Sequence, residues 1–152
     1  MTTLCSTLTN LILIAQFIYI FAIYHKLPAI IPNDFDASGI PHKHAARAIV
    51  WVIFLGGLAI NALLKAIAKH PNTFNLPSQP SDPDRPRQTA IAVELLGWMQ
   101  LEIAILFAAI LWSIANEAPH HEPILWIVPS IAAAILLTVF ASIWRMMRPP
   151  TT

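Results

Sequence analysis

Four stretches of the chain are apolar for so long that they decide the fold class before any motif is read. They run from Leu8 to Tyr24, Ala48 to Ala68, Ala90 to Ile114 and Ile124 to Met146. About 20 mostly apolar residues cross a bilayer core of about 30 Å as a helix. All four stretches reach that length, the first only just. A water-soluble bundle would need charges at helical spacing along its outward faces, and the first, second and fourth stretches carry almost none. Only 11% of the residues are charged and 57% are hydrophobic, against about 25% charged in average soluble domains. The expectation is an all-α, integral membrane four-helix bundle. It forms a single domain over residues 1–152, with an ordered outer loop between helices 1 and 2. Most of the thirteen prolines lie outside the apolar stretches, where a missing backbone donor is harmless.

The remaining composition narrows the function classes. A net charge of +1 provides no basic field for nucleic acid. The single cysteine, Cys5, rules out an internal disulfide or a cysteine-based zinc site. No Gly-rich phosphate loop, Ser-His-Asp order or His-Glu-x-x-His helix is present. No catalytic residue, cofactor or metal ligand is assigned. His25, Asp34, Asp36, His42, His44, Glu117, His120, His121 and Glu122 fall on one side of the membrane in this arrangement. Their spacing follows no metal-ligand signature, so a solvated surface is the simpler reading. A metal-dependent membrane enzyme is the alternative, and it requires these groups to converge. The first ten residues, MTTLCSTLTN, hold no Lys or Arg, and no small-residue cleavage site follows, so the first stretch reads as a retained helix.

The positive charges set an orientation. With four spans, Lys65, Lys69, Arg85, Arg87, Arg145 and Arg148 share a side with both termini, and Lys26, Lys43 and Arg47 lie on the other. The richer side is cytoplasmic by the positive-inside rule. The expected location is therefore the cell membrane, with both termini in the cytoplasm and residues 26–47 facing outward. In the outer loop, Asp36 to Gly39 suit a type I turn, and Pro41 suits the first position of helix 2. That helix would then rise above the membrane through HKHAAR. The second loop holds five prolines from His70 to Arg87 and reads as extended or irregular, with Phe74 and Leu76 as anchors. Gly56 and Gly57 permit close helix approach, within one chain or between copies in a homo-oligomer. Pro129 is expected to kink helix 4.

The outer loop, KLPAIIPNDFDASGIPHKH, is unusually specified for a connection. Leu27-Pro28, Ile31-Pro32, Phe35 and Gly39 stand at the spacing of the motif of the domain-of-unknown-function family 1648. That prokaryotic membrane domain also forms the N-terminal part of the immunity and signalling proteins of the sporulation-delay toxin system. Asp34, Asp36 and His42 depart from the family's usual His, Asn and Asp. A second match follows helix 2, where Pro71, Phe74, Asn75 and Pro77 resemble the family's Pro-x-x-Phe-Asn-Tyr-Pro segment, with Leu76 in place of Tyr. Arg87-Gln88 resemble its Arg-Gln pair entering helix 3. The resemblance covers about residues 10–110. It implies a small multi-pass membrane protein with an immunity, sensing or accessory role.

The loop's own chemistry favours a fixed shape. Pro28 and Pro32 lower the entropy cost of a fixed shape, and Leu27, Ile30, Ile31 and Phe35 supply an apolar side. It reads as a lid over the helix ends, or as a lid that also meets a peptide or small apolar ligand. Two polar residues lie in mid-span. An ionised Glu102 would cost roughly 2.5–3.5 kcal/mol even on the gentler insertion scales, so it should face the bundle interior. Gln16, at matching depth, is the expected partner. The functional alternative is a transport or proton-coupled component using Glu102. The plainer one is a neutral interhelical hydrogen bond, worth about 0.6 kcal/mol on average.

Overall fold

The computed structural model describes residues 2–35, 41–77, 83–116 and 126–148, with side chains except at 2, 32–44 and 116. In chain order the elements are α1 (Thr2–Ile23), β1 (Ile30–Phe35), β2 (Pro41–Ala46), α2 (Ile49–Ala68), a 3₁₀ turn (Pro71–Thr73), α3 (Arg85–Asn116) and α4 (Ile127–Met147). The described residues are mostly helical, with two short strands. Each of the four α-helices is long and apolar enough to cross a membrane.

Helix bounds differ from the apolar stretches for local reasons. Helix α1 begins at Thr2 rather than near Leu8 because its hydroxyls turn back onto their own helix. Thr7 donates to the Thr3 carbonyl at 2.9 Å, and Thr9 to the Cys5 carbonyl at 2.8 Å. Such i−4 bonds satisfy a hydroxyl without water. Helix α3 starts at Arg85 and has 32 residues. At 1.5 Å per residue it is about 48 Å long, longer than a bilayer core of about 30 Å is thick. Helix α4 starts at Ile127. Pro129, expected to kink this helix, therefore lies in its first turn, where its missing N–H has no helical acceptor to lose.

The connection between α1 and α2 also departs from expectation. Pro41 does not open α2. It begins β2, which pairs antiparallel with β1 in the register Ile30–Ala46, Ile31–Ala45, Pro32–His44, Asp34–Lys43 and Phe35–Pro41. A proline tolerates the first position of a strand as readily as that of a helix. The backbone groups of Ile30–Phe35 need partners, and residues 41–46 supply them. The ladder is irregular between Pro32 and Asp34 and again before Phe35, next to the residue that has no N–H to give. The Asp36–Gly39 turn lies outside the described residues.

Helix α3 is the shared neighbour. Helices α1, α2 and α4 each pack along it, whereas α1 and α2 touch each other only briefly. Buried apolar side chains gather at two ends. One cluster joins Ile20, Leu27, Ile31, Val50, Phe54, Leu111 and Ile114. The other joins Ile91, Ala92 and Met146, with Phe74 and Leu76 packed against them. Outward faces are apolar along their length: Leu11, Phe21, Leu63, Leu136 and Phe140 are all more than half exposed. An apolar surface of this extent suits lipid and not water.

Candidate functional site

The hairpin of β1 and β2 is anchored at its root. Leu27 is 7% exposed and Ile31 fully buried, both within the first cluster, while Ile30 is 65% exposed. Neighbouring residues of a strand face opposite ways, so Ile31 points into the helices and Ile30 points out. Arg47 donates its backbone N–H to the Ala29 carbonyl at 3.0 Å, which closes the root. The Arg47 guanidinium lies 4.9 Å from the Tyr24 ring centre. Tyr24, Trp51, Phe54 and Phe17 form a continuous aromatic group beneath it. Pro28 is exposed at the start of the hairpin. The side chains of Pro32 and Phe35, and the whole of Gly39, lie outside the described residues.

The opposite end is a polar clamp that sequence reasoning largely missed. Arg87 donates to both carboxylate oxygens of Asp84, at 2.6 and 2.8 Å. The same guanidinium donates to the carbonyls of Arg145 at 3.0 Å, Met146 at 3.2 Å and Arg148 at 2.7 Å. Buried Gln88 adds bonds to Asp84 and to the Met146 carbonyl. The last carbonyls of a helix have no partner within it, and a planar five-donor fork suits them. The start of α3 thus caps the end of α4. The Arg87 hydrogen bonds hold the Asp84 carboxyl below its ordinary value of 3.8. Asp at one position, Arg three later and Gln four later at a helix start were the available signal. Arg85 donates to the Phe74 carbonyl at 3.2 Å, which ties down the second motif. Phe74 packs inward, Pro71 opens the 3₁₀ turn, and Asn75 and Pro77 are exposed.

Between the two ends lie the mid-span polar groups. Gln16 and Glu102 are not partners. Gln16 donates its Nε2 to the Ala104 carbonyl of α3 at 2.9 Å. Glu102 Oε1 instead accepts from the Thr138 hydroxyl of α4 at 2.6 Å. Two positions along a helix turn by about 200°, so Glu102 and Ala104 face nearly opposite sides of α3. Glu94, two turns before Glu102, also reaches α4, where Arg145 pairs with it at 3.3 Å. Asn61 of α2 is buried and donates to the Gly57 carbonyl at 3.1 Å. Gln16 Oε1, Asn61 Oδ1 and Glu102 Oε2 are buried and accept nothing among the described residues. Gly57 is occupied by Phe107 of its own chain: a β-carbon there would lie 2.7 Å from Phe107 Cγ. This glycine therefore serves packing between α2 and α3 rather than contact with a second copy.

Among the described residues, no three His, Cys, Asp or Glu side chains come together at metal-binding reach; of the groups named for such a site, all but His25 have side chains outside the described residues. The class this architecture defines is a multi-pass membrane protein with four candidate spans. No family model, curated protein or solved structure matches the chain.

Proposed function

We propose that the chain is a small cell-membrane protein of the family 1648 type, with an immunity, sensing or accessory role, that recognises a peptide or small apolar ligand through its outer hairpin. Its four helices form one bundle in the bilayer, and both termini lie in the cytoplasm. The observation that supports the reading is the way residues 26–47 are held. A simple connection between neighbouring helices needs about 2–8 residues. This one forms a two-stranded ladder, sinks Leu27 and Ile31 into the helix cluster, and presents Ile30 outward at 65% exposure. A fixed edge of this kind lowers the entropy cost of binding. An extended peptide adds to a sheet edge through main-chain hydrogen bonds.

The test is protection. Cells sensitive to the toxin peptide of the sporulation-delay system receive the wild-type chain, or a form with residues 30–46 replaced by a Gly-Ser loop. Both are held at equal membrane abundance. The wild type should raise survival, and a photoreactive residue at position 30 should cross-link to the toxin peptide. The reading fails if the wild type gives neither protection nor cross-link, or if the loop-replaced form protects equally.

A further inference from the structure

We infer that the Glu102 carboxyl is a proton-exchanging site in the seam between α3 and α4, reached from the membrane side rather than from water. The observations are separate from those at the hairpin. Glu102 sits near the middle of a helix long enough to span the bilayer. Its Oε1 accepts one hydrogen bond, from Thr138 at 2.6 Å. Its Oε2 is shielded from solvent and has no partner among the described residues.

A carboxylate offers about four acceptor positions, and one donor fills one of them. An intramembrane charge normally finds an opposite charge or several donors. The carboxylates near the ends of the α3–α4 seam do: Glu94 has Arg145, and Asp84 has Arg87. Glu102 has a single neutral hydroxyl. A proton is the ligand that neutralises such a group while demanding no further space. Thr138 then positions the carboxyl, and the proton resides on Oε2.

The surroundings set the route. Glu102 as a whole is only partly buried, and the surface beside the seam is apolar, with Leu137 next to Thr138 68% exposed and Ile105 one turn after Glu102 40% exposed. Helix α4 packs along α3. Removing the proton would leave a charge facing α4 with one donor, so proton occupancy and the seating of α4 are linked. That linkage is what a proton-coupled switch requires: two arrangements of one helix, biased by one titrating group.

Carbodiimides test this directly. The carboxyl proton passes to a carbodiimide nitrogen as the carboxyl oxygen bonds to the central carbon. The sum of the two molecules results, with no leaving group, and it rearranges to a stable N-acylurea. Full-length protein in lipid vesicles is treated with dicyclohexylcarbodiimide or with a water-soluble carbodiimide, and the adduct is located by peptide mass spectrometry. The expected result is one adduct on Glu102 with the apolar reagent, at least tenfold less with the soluble one, and none at that site in Glu102→Gln. No Glu102 adduct with the apolar reagent, or equal labelling by the two, would overturn the inference. The decisive comparison uses the wild-type chain and does not depend on the variant folding.

Discussion

Replacing Gly57 by alanine should destabilise the protein, and replacing Gly56 by alanine should not. A β-carbon at position 57 would lie 2.7 Å from Phe107 Cγ, 2.8 Å from Cδ1 and 3.2 Å from Cβ. Carbon atoms pack best at about 3.5–4.0 Å. Turning the ring about its own axis leaves Cβ and Cγ in place, so relief requires a new χ1 rotamer or a shift of α2 against α3. Overpacking of this kind costs typically about 1–3 kcal/mol. At position 56 the nearest atom is 3.9 Å away, an ordinary contact. Both changes gain the same helix propensity, about 0.8–1.0 kcal/mol, so their difference isolates the clash at about 1–3 kcal/mol. Unfolding midpoints in a fixed detergent give that difference. Phe107→Ala removes Cγ and the ring, so Gly57→Ala should lose most of its penalty in that background. Equal midpoints for the two glycine variants would refute the reasoning. So would a penalty that persists without Phe107.

Three further expectations follow from the two ends. Ile31→Ala should cost about 2–5 kcal/mol as a buried truncation, and Ile30→Ala less than about 0.5 kcal/mol; protease sensitivity of the hairpin reports the difference. The Asp84 carboxyl sits below its ordinary value, so its contribution is present above that value and is lost as pH falls through the lowered one. Hydrogen exchange of the last turn of α4 should therefore quicken at strongly acidic pH in the wild type. In Asp84→Asn it should already be faster at neutral pH, with less further change on acidification. With Cys5 replaced by serine, a cysteine at position 30 should react with a membrane-impermeant thiol reagent in intact cells, and one at Asn75 only after lysis.

The parts of this fold legible in the sequence are those governed by length and depth. Backbone groups in hydrocarbon must be satisfied within a segment, so the four apolar stretches forced four helices before any packing was known. Depth was equally readable: Gln16 and Glu102 do lie at similar levels. Azimuth was not. Whether two residues meet depends on rotation about each helix, and Glu102 faces α4 while Gln16 meets α3 two residues further on. Residues 41–46 were misread for a different reason. A proline starts a strand as well as a helix, and only the presence of β1 alongside decides between them. The clamp of Asp84, Arg87 and Gln88 is formed with backbone carbonyls from the far end of the chain, which leave no mark in the residue types at 145–148.

The polar and small residues of the spans have a common logic once α3 is seen as the shared neighbour. Lipid provides little hydrophobic drive for one apolar helix to choose another, so close approach and hydrogen bonds must specify the arrangement. Each partner of α3 has its own device. Helix α1 is registered by Gln16 on the Ala104 carbonyl. Helix α2 is registered by Gly57 against Phe107. Helix α4 is registered by Thr138 on Glu102, Arg145 on Glu94, and the Arg87 clamp at its end. Of these, the Glu102 contact alone places a titratable carboxyl at mid-depth against a single neutral donor. A chain that needed only to fix α4 had the end clamp and the Glu94 pair for the purpose. The inferred proton exchange at the mid-span carboxyl would make α4 the helix whose seating responds to it.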